Sequence, residues 1–443
     1  MEKAVELSLD RSYDLSHLEI VEYKQYFLAI SVHNARWLVL SNSVQLRILQ
    51  CIMDKNTISS VMELFKNNQQ DVVEVLTQIE ATQIESLQLD SIFSNTRLHL
   101  HLTNKCNMRC PHCYMRSGIG YADELTKDEI MHLCSDFKYA GGTDVSLTGG
   151  EPTVRTDFLE VAEYISSIGM KVSVFTNGFN WSESFTERFC KCNVEGVQIS
   201  IDGYDEESNS AIRGKGAFEN ALRTLEKLVK RGVRTKIAIT APYETLKKHQ
   251  QDYFIFAKKL LEEYKDFGIE VNFSSFLMQG REISNVKAFE IKTEYQNLID
   301  SIVCKLYPNS KEDSFVLNLH NSIYDSCGYG GLNVLANGDF FFCDRVPDVK
   351  KAGNIRNMEF RKIRALMHKA EQIGKIDNLK PCSGCPVRYI CGGGCRIEHF
   401  KHFADIENVA YYSVDSIAPR KCSSKQRNTI FDLMVKTHKR FYR

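Results

Sequence analysis

Cys106, Cys110 and Cys113 stand in a Cys-x3-Cys-x2-Cys run within residues 104–114, directly after the alternating apolar segment Leu98–Leu102. Three thiolates on one short loop can hold three irons of a cubane cluster, one ligand short of the four that saturate it. The fourth iron is then open to a small chelating ligand and can pass it an electron. Such a cluster is a reactive centre, whereas a fully ligated one is an electron relay. Taken alone, the loop also reads as a zinc site or as unrelated buried thiols.

A second cysteine field lies toward the carboxyl end: Cys327, Cys343, Cys382-x2-Cys385-x5-Cys391-x3-Cys395, then Cys422. Zinc ribbons also use Cys-x2-Cys pairs, so spacing leaves the metal open. The other five of the fifteen cysteines, at 51, 134, 190, 192 and 304, sit mostly in apolar, helix-like stretches and read as core. Between the two fields, polar motifs close apolar runs. In Thr148-Gly149-Gly150-Glu151-Pro152, two glycines let backbone approach a ligand closely, and Glu151 adds an acceptor. Asn177, Ser200 and Asp202 are short groups able to hydrogen-bond a ribose or a carboxylate. Arg213 offers a guanidinium fork for a carboxylate, and Gln279-Gly280-Arg281 is a further turn of this kind.

The first loop, with His112 before its third cysteine, and the Gly-Gly-Glu-Pro turn about 36 residues on resemble the radical S-adenosylmethionine (SAM) family. The resemblance implies that the open iron binds SAM, whose reductive cleavage yields a 5′-deoxyadenosyl radical that takes a hydrogen atom from substrate. Carried over by residue, it implies SAM contacts at His112, Gly149, Gly150, Glu151, Pro152, Asn177, Ser200, Asp202 and Arg213, with no catalytic residue assigned beyond the cluster ligands. The second field resembles the SPASM extension, which carries two auxiliary clusters, so the cofactors implied are SAM and three [4Fe–4S] clusters. Cys382, Cys385, Cys391 and Cys422 would saturate one auxiliary cluster, and Cys327, Cys343 and Cys395 would hold the other. Members with a saturated second set have another cysteine soon after the first; residues 328–342 contain none. An open iron there is expected to take a substrate cysteine thiolate and favour a thioether product, with a ligand such as Cys304 or a carboxylate as the bland alternative.

These residues need elements to position them. Strand-like runs at Leu98–Leu102, Asp144–Leu147, Lys171–Phe175, Gly196–Ile201, Thr235–Thr240 and Glu270–Phe276 alternate with helical segments, which argues for parallel βα units. Ahead of them, a hairpin (Tyr26–Val32, Trp37–Ser41) and three helical patterns (Val44–Met53, Ile58–Phe65, Val72–Ile84) suggest a winged-helix module. Its last helix is acidic, which argues against DNA. Placed before such a core, it resembles the element that captures a leader peptide by strand addition. The expected fold is α/β: a partial (β/α)6 TIM-like barrel with an N-terminal winged-helix-like domain and a C-terminal cysteine-rich iron–sulfur domain. The boundaries read as 1–95, 96–295, a bridging region 296–326, and 327–443. Lys425–Arg443 reads as a basic amphipathic docking helix.

Lys+Arg and Asp+Glu balance at 56 each, and no apolar run approaches the roughly 18–20 residues of a membrane span. The acidic N-terminus is not what a secretion signal is expected to carry, and for a cytosolic chain this many cysteines point to metal or catalysis rather than disulfides. The expectation is a cytoplasmic enzyme that modifies a ribosomally made precursor peptide, with no nucleic-acid or membrane partner. It would form a thioether or, next, a carbon–carbon cross-link, and draw electrons from a donor such as flavodoxin or ferredoxin. Alternatives are maturation of a larger protein, as in anaerobic sulfatase-maturing relatives, and a non-enzymatic zinc protein.

Overall fold

The computed structural model describes residues 8–86, 90–91, 95–278, 280–308, 322–346, 349–399 and 422–441. Gln279 and much of 296–326 therefore lie outside the described residues.

At the N-terminus, β1 (Leu18–Tyr23), β2 (Tyr26–Ser31) and β3 (Trp37–Leu40) form an antiparallel sheet in that order. The hairpin was legible; β1 was not, because Glu19 and Glu22 break its apolar alternation. Helices Ser43–Met53, Ile58–Leu64 and Gln69–Thr82 follow. Asn42 and Thr57 cap the first two, accepting main-chain N–H groups of Val44 and Gln45, and of Ser60. One sheet face packs on these helices through Ala29, Leu38 and Leu40 against Ile48, Leu49 and Val75. The other face carries Leu28, Ile30, Trp37 and Val39 against Phe431, Met434 and Val435 of helix Ser424–Phe441. The Trp37 indole donates to Met434 O at 3.3 Å. The docking helix thus closes the far face of the N-terminal sheet.

After a short β4 (Asp90–Ser91) come β5 (Arg97–Thr103), β6 (Asp144–Gly149), β7 (Lys171–Thr176), β8 (Val194–Ser200), β9 (Thr235–Ile239) and β10 (Glu270–Phe273). They lie parallel and in sequence order, as helix-connected crossovers require. Successive side chains alternate between faces. Leu98, Leu100, Leu102, Val145, Leu147, Val172, Val174, Val197 and Ile199 enter the main apolar core, which puts His99, His101, Ser146, Ser173, Gln198 and Ser200 on the opposite face. That second face is polar, and it is the wall any ligand in the barrel meets.

The expected domain boundaries need two corrections. Helix Asn285–Leu306 runs through 295/296, burying Tyr295, Ile299 and Ile302 in the barrel core. Beyond β11 (Ser322–Ile323), β12 (Leu332–Val334) pairs in parallel with β5, Asn333 opposite His99. With β13 (Asp339–Phe341) and β14 (Gly353–Asn354), it extends the barrel sheet to nine strands among the described residues. The second cysteine field therefore grows from the barrel sheet itself. A three-residue strand among glycines carries too little pattern to be read in advance. Among the described residues, no helix is long and apolar enough to cross a membrane.

Candidate functional site

The first cysteine loop leaves the carboxyl end of β5. Glu124 holds its entry, accepting the Thr103 hydroxyl at 2.7 Å and the main-chain N–H groups of Asn104 at 2.8 Å and Tyr121 at 3.0 Å. Two main-chain N–H groups already address sulfur: Met108 donates to Cys106 Sγ and Ser117 to Cys113 Sγ, each at 3.4 Å. Such bonds help set the potential of a cluster. Burial pushes the Cys106 thiol up to about 11 and raises Cys110 as well, so the loop favours thiols until a metal supplies positive charge. The turn after β10 braces the loop. Arg281 N–H donates to Cys113 O at 3.2 Å, its Nε donates to Cys110 O at 3.3 Å, and Glu282 N–H donates to Pro111 O at 2.9 Å. Gly280 and Arg281 therefore support the cysteines rather than forming a free ligand-binding turn.

The Gly-Gly-Glu-Pro turn also makes contacts that differ from expectation. A Cβ on Gly149 would sit 2.3 Å from Thr103 O, and one on Gly150 2.2 Å from Lys105 O. The glycines admit the cysteine strand's own backbone. Across this contact Gly150 N–H donates to Thr103 O at 2.8 Å and Glu151 N–H to Lys105 O at 2.9 Å. Glu151 is 1% exposed, and both its oxygens are engaged within the protein. Oε1 accepts the Thr153 hydroxyl at 2.7 Å and the Thr176 hydroxyl at 2.8 Å, and Oε2 accepts Asn177 N–H at 2.7 Å. Burial pushes its carboxyl up, and these donors counter part of that rise. A carboxylate this deep needs donors, so Glu151 ties the end of β6 to the end of β7. Asn177 Nδ2 then reaches Asn107 Oδ1 at 2.8 Å, joining that tie to the cysteine loop. Pro152, buried, opens the short helical turn that follows.

Asp202, His112 and Arg213 form a buried charge cluster. Asp202 Oδ2 lies 2.6 Å from Arg213 Nη2 and 3.0 Å from His112 Nε2, and Oδ1 accepts Thr240 N–H at 2.8 Å. Burial pushes the Asp202 carboxyl up, but the Arg213 guanidinium and His112 more than offset it, holding it at about 2. Arg213 also feels Cys110 and Cys106. Among the described residues, buried His112 Nδ1 and Arg213 Nε have no hydrogen-bond partner. Buried polar atoms without partners are costly: a ligand carboxylate would satisfy the Arg213 Nε–H, and a ligand amine would donate to His112 Nδ1, since the ring's Nε2 faces Asp202. Ser200 is half-buried at the end of β8. The donor set thus fits SAM, with Arg213 engaged by Asp202 through one nitrogen and Nε left for the ligand.

The second field separates into two sets. Cys327, Cys343 and Cys395 pack against one small apolar cluster that includes Tyr329, Leu335 and Phe341. Cys382, Cys385, Cys391 and Cys422 line a cavity of about 520 Å³. The hinge between the sets is Gly392–Gly394, three consecutive residues with φ of 68°, 72° and 77°. Only glycine takes such a run without strain, and it lets Cys391 and Cys395 face different sites. Arg396, 1% exposed, grips that turn by donating to Gly392 O at 2.8 Å and Gly394 O at 2.6 Å. It brings a buried positive charge near Cys327, Cys382 and Cys395. Among the described residues, no three His, Cys, Asp or Glu side chains converge on a single metal ion. Thiolates of a cubane bind separate irons and need not converge in that way. Of the five cysteines read as core, Cys134 is buried, but Cys304 is exposed on its helix and does not belong there.

Several residues of this region carry no sequence motif. Tyr114 follows Cys113 and Asp344 follows Cys343, and the Asp344 charge is felt by both Tyr114 and His99. Burial, then Asp344, raises the Tyr114 hydroxyl, whereas burial lowers His99 against Asp344. The two cysteine fields adjoin here: Met115 packs in the same cluster as Cys327, Cys343 and Cys395, and β12 pairs with β5. The histidines alternating with leucines in residues 98–102 were this region's only signal.

Residues 100–253 match the model of the Radical SAM superfamily. The sporulation killing factor maturation protein SkfB of Bacillus subtilis (strain 168) is 36% identical over 142 residues, 32% of this chain and 34% of SkfB, so the match spans about a third of that relative. An AdoMet-dependent heme synthase of Methanosarcina barkeri (strain Fusaro / DSM 804) is 27% identical over 331 residues, 69% of this chain and 92% of the synthase. SuiB of Streptococcus suis shares the fold at a TM-score of 0.50 and 15% identity, over 93% of this chain and 100% of that one. The cysteine loop, the Gly-Gly-Glu-Pro turn and the Asp202–Arg213 pair all fall inside the matched stretch, and this chain carries a radical SAM domain.

Proposed function

We propose that the protein is a radical SAM maturase of a ribosomally made precursor peptide that closes an intrapeptide cross-link, a thioether first and a carbon–carbon bond second. The observation that carries this reading is the N-terminal sheet module, clamped by helix Ser424–Phe441 beside the second cysteine field. SkfB is named as a maturation protein, and a second SuiB structure holds its precursor peptide SuiA. The heme synthase match leaves nearly a third of this chain without a counterpart.

When bound, SAM and the first cluster would supply a hydrogen-abstracting radical. The chain's own part is to position and shield. Arg213, held by Asp202, and His112 would fix the SAM carboxylate and amine, and Ser200 would take a hydroxyl. The polar wall of His99, His101 and Asn333 would orient substrate between the cysteine fields. Cys382, Cys385, Cys391 and Cys422 would hold a saturated cluster, and Cys327, Cys343 and Cys395 one with an open position for a substrate thiol. Fifteen free thiols suit the cytoplasm and a flavodoxin- or ferredoxin-like electron donor.

Anaerobic co-expression with the peptide product of each short reading frame flanking the gene tests this. Loss of two hydrogens and one free thiol in a peptide's mass and alkylation profile supports a thioether. Loss of two hydrogens with all thiols retained supports a carbon–carbon bond. No change in any peptide, while SAM is still cleaved, would overturn the reading.

A further inference from the structure

Two guanidinium groups stand at the set Cys327, Cys343 and Cys395. Arg345 Nη1 donates to Cys395 Sγ at 3.2 Å, and the Arg345 guanidinium carbon lies 5.0 Å from the centre of the Phe276 ring, just after β10. The ring face attracts the cation and holds it where its N–H meets the sulfur.

Arg396 acts differently, as a buried charge. Among the described residues, all four hydrogen bonds of its side chain end on main-chain carbonyls, those of Gly374, Gly392, Gly394 and Asp325. Arg213 at the first loop has a counter-charge in Asp202, 2.6 Å away; Arg396 has only carbonyls. A buried charge without a counter-charge is costly, so the arrangement calls for an anion nearby. Cysteines of the two sets supply it. Cys327, Cys382 and Cys395 each act on Arg396 more strongly than Asp325 does, and the Asp325 carboxylate faces Lys375 at 3.8 Å.

One carboxylate works against these cations. Asp344 Oδ1 lies 3.6 Å from Cys343 Sγ. Asp344 is exposed, however, and Arg396 is 1% exposed. Charges act at an effective dielectric of about 80 in water and about 20 in protein, so at equal distance Arg396 counts for about four times as much. The reduction potential of an iron–sulfur cluster is set in part by net charge and by hydrogen bonds to its sulfurs, and positive charge favours the reduced form.

We propose that Arg345 and Arg396 are positioning residues that raise the potential of the cluster on Cys327, Cys343 and Cys395. Arg345 does so through its hydrogen bond to a ligand sulfur, and Arg396 through a buried charge that also reaches Cys382 of the other set. This rests on the auxiliary-cluster reading above and adds to it the groups that set a potential.

The test is a redox titration, followed by electron paramagnetic resonance, of the full-length, anaerobically reconstituted protein carrying Cys106→Ala, Cys110→Ala and Cys113→Ala, which leaves the auxiliary clusters. Adding Arg345→Gln is expected to lower one midpoint potential by at least about 59 mV, a tenfold change in the ratio of reduced to oxidised cluster for one electron, and to move the other less. Arg345→Lys keeps the charge and is expected to recover most of that shift, which a packing role would not do. Arg396→Gln is expected to lower both potentials relative to Arg396→Lys, because the two variants lose the same fork and differ in charge. Iron near 8 per chain, as two four-iron clusters require, checks loading. Unmoved potentials in a loaded Arg345→Gln protein, or equal shifts for Gln and Lys at either position, would overturn the proposal and leave the auxiliary clusters standing. A parent triple variant that holds zinc and no iron would overturn both.

Discussion

Replacing Gly150 by Ala tests whether the Gly-Gly-Glu-Pro turn acts by its fit to the cysteine strand. The new Cβ would stand 2.2 Å from Lys105 O and 2.7 Å from Lys105 C. Carbon–carbon contacts settle at about 3.5–4.0 Å, so the two backbones must part by roughly 1 Å. Neither is a flexible side chain. Lys105 precedes the first cysteine and accepts the Glu151 N–H at 2.9 Å. Overpacking costs about 1–3 kcal/mol, and loss of that hydrogen bond about 1 kcal/mol more. The expected destabilisation is about 2–4 kcal/mol. A 1 Å misplacement at a reacting centre costs on the order of 100-fold in rate, so reductive SAM cleavage to 5′-deoxyadenosine should fall by about that factor even where the cluster loads. Gly118→Ala is the control on the same loop, because its Cβ meets nothing within 4 Å; its effect should stay within about 0.5 kcal/mol. A Gly150→Ala enzyme that loads its cluster and cleaves SAM at the wild-type rate would refute the argument.

Asp202→Asn leaves the buried Arg213 guanidinium without its counter-charge, which should cost about 3–5 kcal/mol. Added SAM should raise the variant's melting temperature more than the wild type's, since the ligand carboxylate would replace part of the lost charge. Equal shifts in thermal-melt assays would remove Arg213 from the SAM site. Arg356 grips Glu129 through two nitrogens, at 2.5 and 3.0 Å, and Asp123 at 2.7 Å, tying the second cysteine field to the start of the helix at Lys127. The pair is partly exposed, so Arg356→Ala should cost about 1 kcal/mol or less at pH 7. The Arg356 hydrogen bond holds Glu129 at about 2, below its usual 4.5. The contribution is therefore present above pH 4.5 and lost as pH falls toward 2. Denaturant melts of both proteins at pH 7 and pH 4 should show the difference shrinking; a constant difference would rule out the charge pair as its source.

The parallel strands were legible because apolar periodicity is a local signal, whereas the division of the second cysteine field came from the SPASM resemblance and not from thiol spacing. What remained hidden depends on contacts between distant segments. β12 is three residues long and becomes a strand only through its partner β5. Arg396 looks like any surface arginine until four of its hydrogen bonds close on Gly374, Gly392, Gly394 and Asp325. Glu151 shows the opposite failure. Its position in the motif was plain, but its inward hydrogen bonds could not be read from spacing. The contact of the two glycines with the cysteine strand was hidden for the same reason, since the backbone they meet lies 45 to 47 residues earlier in the chain.

The most direct test of the account is the iron, sulfide and zinc content of the anaerobically reconstituted protein beside a Cys106→Ala, Cys110→Ala, Cys113→Ala triple variant. Three four-iron clusters predict about 12 irons per chain, falling to about 8 in the variant, with the remaining iron assigned to the two sets hinged at Gly392–Gly394. Roughly 4 irons with zinc would leave the radical SAM domain but remove the auxiliary clusters and the thioether route with them. Zinc without iron would contradict the account at its centre.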